Sequence, residues 1–372
     1  MVEYLVFLTI SASLYALFAL GLNLQWGFTG LINFGHVAFM TIGAYTTVLL
    51  AEKGFPLFSA VIIGAIFASL LGLLIGLTSL KLREDYLAIV TIGVSELIRL
   101  IVQNEQWLTK GTFGIQSYQL PLGNFQPNLL GKVMMIIIFS VLGIFVLWQL
   151  WKNVRQQLRL RKQIQGKSYQ PSSVLNIYLS SGLTLILILI TYINGIIALY
   201  NYNYKAGLML LILITLTVVY YGLDLLVHSP WGRVLKAIRE DEEIPKALGK
   251  NVFFYKLQSF MLGGAIAGIA GAFYTWQLTT IYPSSFETLL TFNAWIIVVL
   301  GGSGNNAGVI LGSIIFWSYD SLTRFIFSNS EIINDAQVGA LRIMIIGLIL
   351  MILMISRPQG ILGKKAELSL NN

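Results

Sequence analysis

Polar residues interrupt an otherwise apolar run between positions 21 and 36 of the sequence. Asn23, Asn33 and His36 stand there among several glycines, including Gly35. Irregular backbone at membrane depth is tolerated only inside protein or beside water. A half-helix that begins near Asn33 would direct free N–H groups and a positive dipole end into the membrane, where a substrate carboxylate can bind. The run therefore indicates a broken helix beside a transport pathway.

The same run also fits a simpler structure. In that alternative it is a cytoplasmic turn, and His36 packs in the first turn of the next helix. We prefer the packed position for the His36 side chain itself, and the functional break for the segment as a whole.

Two pairs of opposite charges share helical faces. Glu96 and Arg99 are three residues apart, and Asp320 and Arg324 are four apart. Because an unpaired charge within the membrane is costly, we expect each pair to form an internal ion pair. A substrate or proton site is the alternative, although a proton relay usually needs several ionisable groups in series.

The segment from 229 to 256 is too patterned for a passive linker. After a turn set by Pro230 and Gly232, residues 233–239 predict a short amphipathic helix. Four acidic residues follow, and Pro245 opens a second short helix that a glycine ends. Short helices of mixed charge suit docking into a groove of a partner protein. A helix that lies on lipid headgroups is the alternative, and the acidic run disfavours it.

The sequence lacks the usual means of catalysis and of ATP binding. It has no cysteine and only two histidines, and no carboxylate pair stands at bond-cleavage spacing. The nearest candidate for the ATP-binding pattern G-x-x-x-x-G-K-[ST] has Arg161 in place of its first glycine. We therefore predict a protein that is not an enzyme and holds no metal and no cofactor. Energy for uphill transport would come from another chain or from an ion gradient.

The composition is that of a membrane protein. Hydrophobic residues make up 56% of the 372 positions and charged residues 11%, against roughly 25% charged residues in an ordinary soluble domain. We predict an all-α polytopic membrane protein, a single transmembrane domain over residues 1–372, with about ten transmembrane helices and at least one broken or re-entrant segment. The apolar stretches lie at 5–24, 35–51, 58–80, 86–103, 131–151, 174–200, 205–227, 256–281, 289–302, 306–327 and 340–356.

Basic residues are concentrated in alternate loops. Most of the 24 lysines and arginines lie at 81–83, in a linker at 152–173, in the 229–256 segment and in the C-terminal tail. By the positive-inside rule these loops and the C-terminus are cytoplasmic. A nucleic-acid-binding protein would gather its basic residues on one folded face, so the net charge of +8 does not indicate nucleic acid.

Four motifs, in order and together, resemble the permease subunits of ABC importers for branched-chain and neutral amino acids. They extend over most of the chain, and the stretch from Asp85 to Arg99 is most similar to the M-type subunit of the permease pair. The motifs are Gly30-Leu31-Ile32-Asn33-Phe34-Gly35-His36-Val37-Ala38-Phe39, Asp85-Tyr86-Leu87-Ala88-Ile89-Val90-Thr91 with Glu96-Leu97-Ile98-Arg99, Gly232-Arg233-Val234-Leu235-Lys236-Ala237-Ile238-Arg239-Glu240-Asp241, and Val298-Val299-Leu300-Gly301-Gly302.

This resemblance implies a heteromeric importer in a bacterial plasma (inner) membrane. A second homologous permease would complete the pathway, two ATP-binding subunits would hydrolyse ATP, and a periplasmic amino-acid-binding protein would deliver the substrate. The coupling loop would meet an ATP-binding subunit through Gly232, Arg233, Lys236, Ala237, Ile238, Arg239, Glu240, Ala247, Leu248 and Gly249. The candidates for the substrate pathway are Asn23, Asn33, Gly35, His36, Thr91 and Glu96.

The sequence departs from the family pattern at three places. Ile244-Pro245 stand where two alanines are usual, Lys110 stands where glycine is common, and the basic linker 152–173 is longer than expected. Two alternative functions stay open. One is a urea ABC permease subunit, and the other is an ion-coupled secondary transporter that works as a single chain without an ATPase.

Overall fold

The computed structural model describes residues 2–164, 185, 188–327, 335–356 and 359–363. Helices account for most of these residues. They are α1 Val2–Leu22, α2 Val37–Glu52, α3 Leu57–Ser79, α4 Glu84–Asn104, α5 Gln106–Thr109, α6 Leu129–Ile164, α7 Ile188–Tyr200, α8 Tyr204–His228, α9 Pro230–Glu240, α10 Glu243–Ala247, α11 Val252–Leu278, α12 Leu289–Gly301, α13 Asn306–Phe327 and α14 Asp335–Ser356.

Seven helical stretches within the described residues are long and apolar enough to cross a membrane. They are Val2–Gly27, Leu57–Ser79, Leu129–Trp148, Tyr204–His228, Val252–Leu278, Pro283–Gly301 and Asn306–Ile326. Three further apolar helices are shorter; the 16 residues of α2 would extend about 24 Å, against about 30 Å of hydrocarbon. The chain is an all-α polytopic membrane protein, as predicted, but the predicted number of ten crossings is not confirmed.

The chain forms two compact units. The first comprises residues 1–9 and 122–214, and the second comprises residues 10–121 and 215–372. In the first unit α6 packs on α7 through Tyr192, whose ring stacks on Phe139 with the centroids 5.6 Å apart and whose hydroxyl lies 2.8 Å from Ser140 Oγ. The description of residues 1–372 as one transmembrane domain stays a prediction.

The core of the second unit is built on α2, α3 and α11, which approach each other through glycines. A Cβ atom on Gly43 of α2 would lie 2.2 Å from the Gly268 carbonyl oxygen of α11, and one on Gly271 would lie 2.1 Å from the Met40 carbonyl oxygen. Small residues at three- and four-residue spacing let helix backbones approach this closely in membranes. The glycine-rich face at 263–272 is thus a close-packing face.

The long helix α6 changes the interpretation of the basic linker. It continues to Ile164, so the first part of the predicted linker 152–173 is helical. Gln, Leu, Lys and Arg are good helix formers, and they allow the helix to extend beyond its apolar part. Residues 165–173 lie outside the described residues, as do Lys364 and Lys365 of the basic tail.

One short antiparallel strand pair was not predicted. β1 (Ile115–Gln116) pairs with β2 (Thr280–Ile281) in the second unit. Two residues per strand are too few to show the alternating pattern from which strands are predicted.

Candidate functional site

The first helix ends in the break that the sequence predicts. After Leu22 the chain forms one π-helical turn, Asn23–Gly27, in which the Phe28 amide donates to the Asn23 carbonyl at 3.0 Å. Residues 28–36 are then not helical, and α2 begins at Val37. Single π-turns within α-helices are rare and occur often at functional sites.

The last carbonyl groups of this helix are capped at each position. The Leu24 carbonyl accepts hydrogen bonds from the hydroxyls of Thr29 and Ser259, both at 3.0 Å. The carbonyls of residues 25 and 26 accept the amides of residues 31 and 30, both at 2.9 Å. The Gly27 carbonyl accepts a hydrogen bond from Arg239 Nη1 of α9. A helix end inside protein needs such partners, and here the polar residues of the break and of α9 supply them.

Asn23 fixes the break to the turn between α12 and α13. Its Oδ1 accepts the Gly304 amide at 2.9 Å, and its Nδ2 donates to Asn306 Oδ1 at 3.0 Å. The Asn23 side chain is fully buried, so both bonds form away from water. The glycine-rich sequence from 299 to 308 accordingly contains the turn between two helices, at residues 302–305.

Asn33 and Gln25 form the second buried connection. Asn33 Nδ2 donates to Gln25 Oε1 at 2.8 Å, and Gln25 Nε2 donates to the Phe260 carbonyl of α11 at 2.9 Å. Asn33 Oδ1 accepts the Gly35 amide at 2.9 Å, which is an Asx turn. This turn places residues 33–36 outside the helix, so the prediction that the half-helix starts near Asn33 was four residues too early.

The amides at and just before the start of α2 have partners within the protein. The Val37 amide donates to Thr291 Oγ1 at 2.9 Å, and the Phe34 amide donates to Thr91 Oγ1 at 3.1 Å. His36 is fully buried, with Nε2 3.2 Å from the Phe18 carbonyl oxygen, which agrees with the packed position preferred for it. Binding of a substrate carboxylate by these amides stays a prediction. In this conformation a carboxylate would have to displace the Thr91 or Thr291 hydroxyl.

Both predicted ion pairs form. Arg99 contacts Glu96 at 2.5 Å, and Arg324 contacts Asp320 at 3.0 Å. The Glu96 side chain is 44% exposed and accepts hydrogen bonds from Arg99, so it is not buried as the polar residues of the break are. Thr91 is the candidate on α4 that reaches the break.

The predicted first docking helix is α9. Ser229 caps it by accepting the Gly232 amide at 3.4 Å, and Pro230 occupies its first position. Leu235 and Ile238 are buried against the second unit, which anchors the helix. Arg233 lies on its exposed side.

The second docking helix, α10, begins at Glu243 and not at Pro245. Its exposed side carries two large apolar side chains, Ile244 with 56% exposed and Leu248 with 74% exposed. Gly249 follows with φ +73°, as expected for the glycine that ends a helix.

Glu242 connects α10 to α11. Its carboxylate contacts Lys256 Nζ at 2.5 Å and Lys246 Nζ at 3.1 Å. Hydrogen bonds from Lys256 and then from Lys246 lower the pKa of the Glu242 carboxyl group, and partial burial opposes them. The contacts hold α10 in place while its apolar side chains stay exposed.

The predicted coupling residues therefore divide into two sets. Five are exposed and available to another chain, whereas the others face the protein, among them Lys236 with Nζ 5.7 Å from the centroid of the Phe28 ring. The exposed residues are Arg233, Glu240, Ala247, Leu248 and Gly249; those that are buried or partly buried are Gly232, Lys236, Ala237, Ile238 and Arg239.

Several residues that bind to the break carry no sequence signal that separates them from other serines and threonines of the chain. Thr29, Ser259 and Thr291 are fully or nearly fully buried and act as hydrogen-bond partners there. Their partners lie far away in sequence, so spacing does not reveal them. Within the described part of the chain, no three His, Asp or Glu side chains are grouped as metal ligands would be.

Comparison with known proteins matches the whole helical chain. Residues 4–354 match the family model described as the permease component of branched-chain amino acid transport systems. The chain is 30% identical to the high-affinity branched-chain amino acid transport system permease protein LivM of Escherichia coli (strain K12), over 362 residues, 96% of this chain and 70% of that protein. It is 24% identical to the probable branched-chain amino acid transport permease protein LivM of Methanocaldococcus jannaschii, over 95% of this chain and 91% of that protein.

No solved structure matches the chain. The family match nevertheless includes the π-turn, the buried asparagines and both docking helices. Since it covers nearly all of the sequence, this protein belongs to the family of branched-chain amino acid transport permease components.

Proposed function

We propose that this chain is a permease subunit of an ATP-driven ABC importer for neutral or branched-chain amino acids. The observation that carries the proposal is the exposed surface of α9 and α10. Ile244 and Leu248 are large exposed apolar side chains of α10 and its C-terminal cap, and Arg233 is an exposed cation of α9, which is anchored by buried side chains. A surface of apolar residues and charges on rigid helices suits a groove on another protein. The names of the relatives support amino acids as the substrate.

The proposal includes the partners that such a permease needs. Two ATP-binding subunits supply the hydrolysis, because this sequence has no ATP-binding pattern of its own. A second, homologous permease completes the pathway in a heterodimer, and a periplasmic amino-acid-binding protein delivers the substrate. The assembly lies in a bacterial plasma membrane, with the coupling loop 229–256 and the C-terminus on the cytoplasmic side, as the basic loops favour.

Within this proposal the break lies beside the pathway. Asn23, Asn33, Gly35, His36, Thr91 and Glu96 are the candidates for contact with the moving substrate or for control of the pathway. The hydroxyl partners of the Phe34 and Val37 amides can be exchanged for a carboxylate when the helices move apart. We propose that this exchange is transient, since transport requires release as well as binding.

The experiment is co-purification of this chain with the proposed ATP-binding subunits. The variant Arg233→Glu with Leu248→Glu reverses one charge and inserts another on the exposed surface of α9 and α10. It should lose the ATP-binding subunits while the chain still inserts into the membrane. Arg83→Glu is the control, because Arg83 is an exposed arginine on the α3–α4 turn. Unchanged co-purification of the double variant would overturn the assignment of the surface.

A further inference from the structure

Two cations on the inner side of α9 contact the end of the broken first helix. Arg239 Nη1 donates a hydrogen bond to the Gly27 carbonyl, and Lys236 Nζ lies 5.7 Å from the centroid of the Phe28 ring. The two cations are three residues apart, so they share one side of α9. Gly27 and Phe28 are the last residue of the π-turn and the residue that follows it.

The electrostatics of this contact favour a cation. The C-terminal end of a helix carries a partial negative charge on its unpaired carbonyl groups. Val2–Gly27 is one continuous helical stretch, and the Gly27 carbonyl is at its end. The carbonyls of residues 24–26 are capped by groups of the break and of α11, whereas Gly27 receives its hydrogen bond from α9.

The Arg239 side chain lies between two glycines that have left-handed backbone conformations. A Cβ atom on Gly30, which has φ +81°, would lie 3.4 Å from Arg239 Cγ. A Cβ atom on Gly304, which has φ +74°, would lie 2.7 Å from Arg239 Nη1 and 2.9 Å from the Gly27 carbonyl oxygen. The fit leaves the side chain little room to move independently of its surroundings.

The contact continues into the protein interior along hydrogen bonds. Gly304, next to the guanidinium group, donates its amide to Asn23, and Asn23 also holds Asn306 at the start of α13. Within the π-turn, Gln25 is bonded to Asn33 ahead of α2. A displacement of the Gly27 end therefore acts on both the α12–α13 turn and the start of α2.

The surroundings leave space for such a displacement. A cavity of about 160 Å³ lies beside the contact, lined by Gly30 and Leu31 of the break and by Arg239 and Glu242 at the end of α9 and before α10. Arg239 and the residues that directly follow the helix end border this cavity, so this part of the contact can shift without displacing packed side chains.

We infer that Arg239 is a positioning residue that passes movement of α9 to the broken helix, through the Gly27 carbonyl. The inference rests on the proposed function, since the movement originates in the ATP-binding subunits that α9 meets. It assigns Arg239 a role different from that of Arg233: Arg233 is exposed to the partner chain, and Arg239 contacts the end of the broken helix. Loss of Arg239 should therefore separate ATP hydrolysis from transport.

The test uses the full transporter in vesicles, with ATP hydrolysis and amino-acid uptake measured on the same preparation. Arg239→Gln removes the cation and shortens the side chain, while the exposed surface of α9 stays unchanged. We expect the ratio of uptake to hydrolysis to fall about tenfold, which corresponds to loss of one hydrogen bond to a charged group. Arg239→Lys keeps the cation and should recover part of the ratio of uptake to hydrolysis. If the Arg239→Gln protein does not accumulate in the membrane, Arg239→Lys is measured in its place. Arg83→Gln is the control for loss of an exposed arginine.

The outcomes separate the inference from the function on which it rests. A ratio of uptake to hydrolysis that is unchanged in Arg239→Gln would overturn the inference. A parallel loss of hydrolysis and uptake, or loss of the ATP-binding subunits, would also overturn it, because Arg239 would then serve docking alone. Failure of the proposed function would appear already in the unsubstituted transporter, as uptake that does not depend on ATP.

Discussion

Gly35 lies directly against the main chain of Thr91. A Cβ atom built on Gly35 would be 1.8 Å from the Thr91 carbonyl oxygen, so the break and α4 approach each other at a point where only glycine fits. The Thr91 hydroxyl completes the contact by accepting the Phe34 amide at 3.1 Å. The position of α2 relative to α4 therefore depends on a residue without a side chain.

Replacing Gly35 should be strongly destabilising. Gly35→Ala forces the break away from Thr91, and overpacking of this kind costs about 1–3 kcal/mol. We expect a lower melting temperature for the detergent-solubilised protein, measured by thermal unfolding. Gly93→Ala is the matched control, since a Cβ atom there would meet nothing within 4 Å and alanine favours the helix. Equal melting temperatures for the Gly35 variant and the native chain would contradict the close contact.

The main effect of replacing Asn33 should be on the stability of the fold and not on substrate binding. Asn33→Leu leaves Gln25 Oε1 and the Gly35 amide without their partners, at about 1–3 kcal/mol for each group. We expect low yield and an early unfolding transition. Asn104→Leu is the control, because Asn104 is exposed and its side chain bonds only to its own helix in the structure. A stable Asn33→Leu protein with a raised KM for uptake would instead support direct contact with the substrate.

The ion pairs of Glu242 should make the stability of the α10 region depend on acid pH. Since Lys256 and Lys246 lower the pKa of the folded carboxyl group, its stabilisation is present above the unfolded pKa of about 4.3 and is lost as the pH falls through the lower folded pKa. The side chain is 42% exposed, so solvent screening keeps the effect below about 1 kcal/mol. We expect Glu242→Gln to lower the melting temperature at pH 7 and to have little effect at the lowest pH.

Glu243 supplies the control for this titration. Its side chain is 75% exposed and contacts Lys246 without Lys256, so Glu243→Gln should change the melting temperature less at every pH. A difference in melting temperature between the native chain and Glu242→Gln that grows as the pH falls would contradict the stabilising role of the ionised Glu242 carboxylate.

Glu96 should not act as a proton carrier. It is paired with Arg99 at 2.5 Å, and no second carboxylate or histidine is hydrogen-bonded to it among the residues of known position. We expect Glu96→Gln to leave the dependence of uptake on external pH unchanged. A shift of that profile would favour an ion-coupled mechanism. Asp320→Asn, at the other ion pair, is the comparison variant.

The local features of the chain followed from the sequence because they are encoded by neighbouring residues. The apolar stretches predicted the helices, and Gly249 predicted the end of α10. The turn expected at Pro230 and Gly232 is instead the first turn of α9, which begins three residues before the predicted residue 233. The break after residue 22 was predicted from glycines and amides in an apolar run.

The tertiary contacts of the site could not be predicted in the same way. Asn23 bonds to Gly304 and Asn306 about 280 residues away, and Arg239 reaches Gly27 across 212 residues. No spacing rule connects such positions. The later start of α2 depends on the Asx turn of Asn33, which competes locally with the helix that the apolar pattern favours.

The central claim is that this chain carries an amino acid only together with an ATP-hydrolysing partner. The direct test is accumulation of labelled leucine in two kinds of vesicles. One kind contains the chain alone under a proton or sodium gradient. The other contains the chain with the second permease, the ATP-binding subunits, the binding protein and internal ATP. Unlabelled alanine and urea serve as competitors. The account predicts accumulation only in the complete assembly with ATP, reduced by excess unlabelled amino acid and not by urea; gradient-driven accumulation by the chain alone would contradict it.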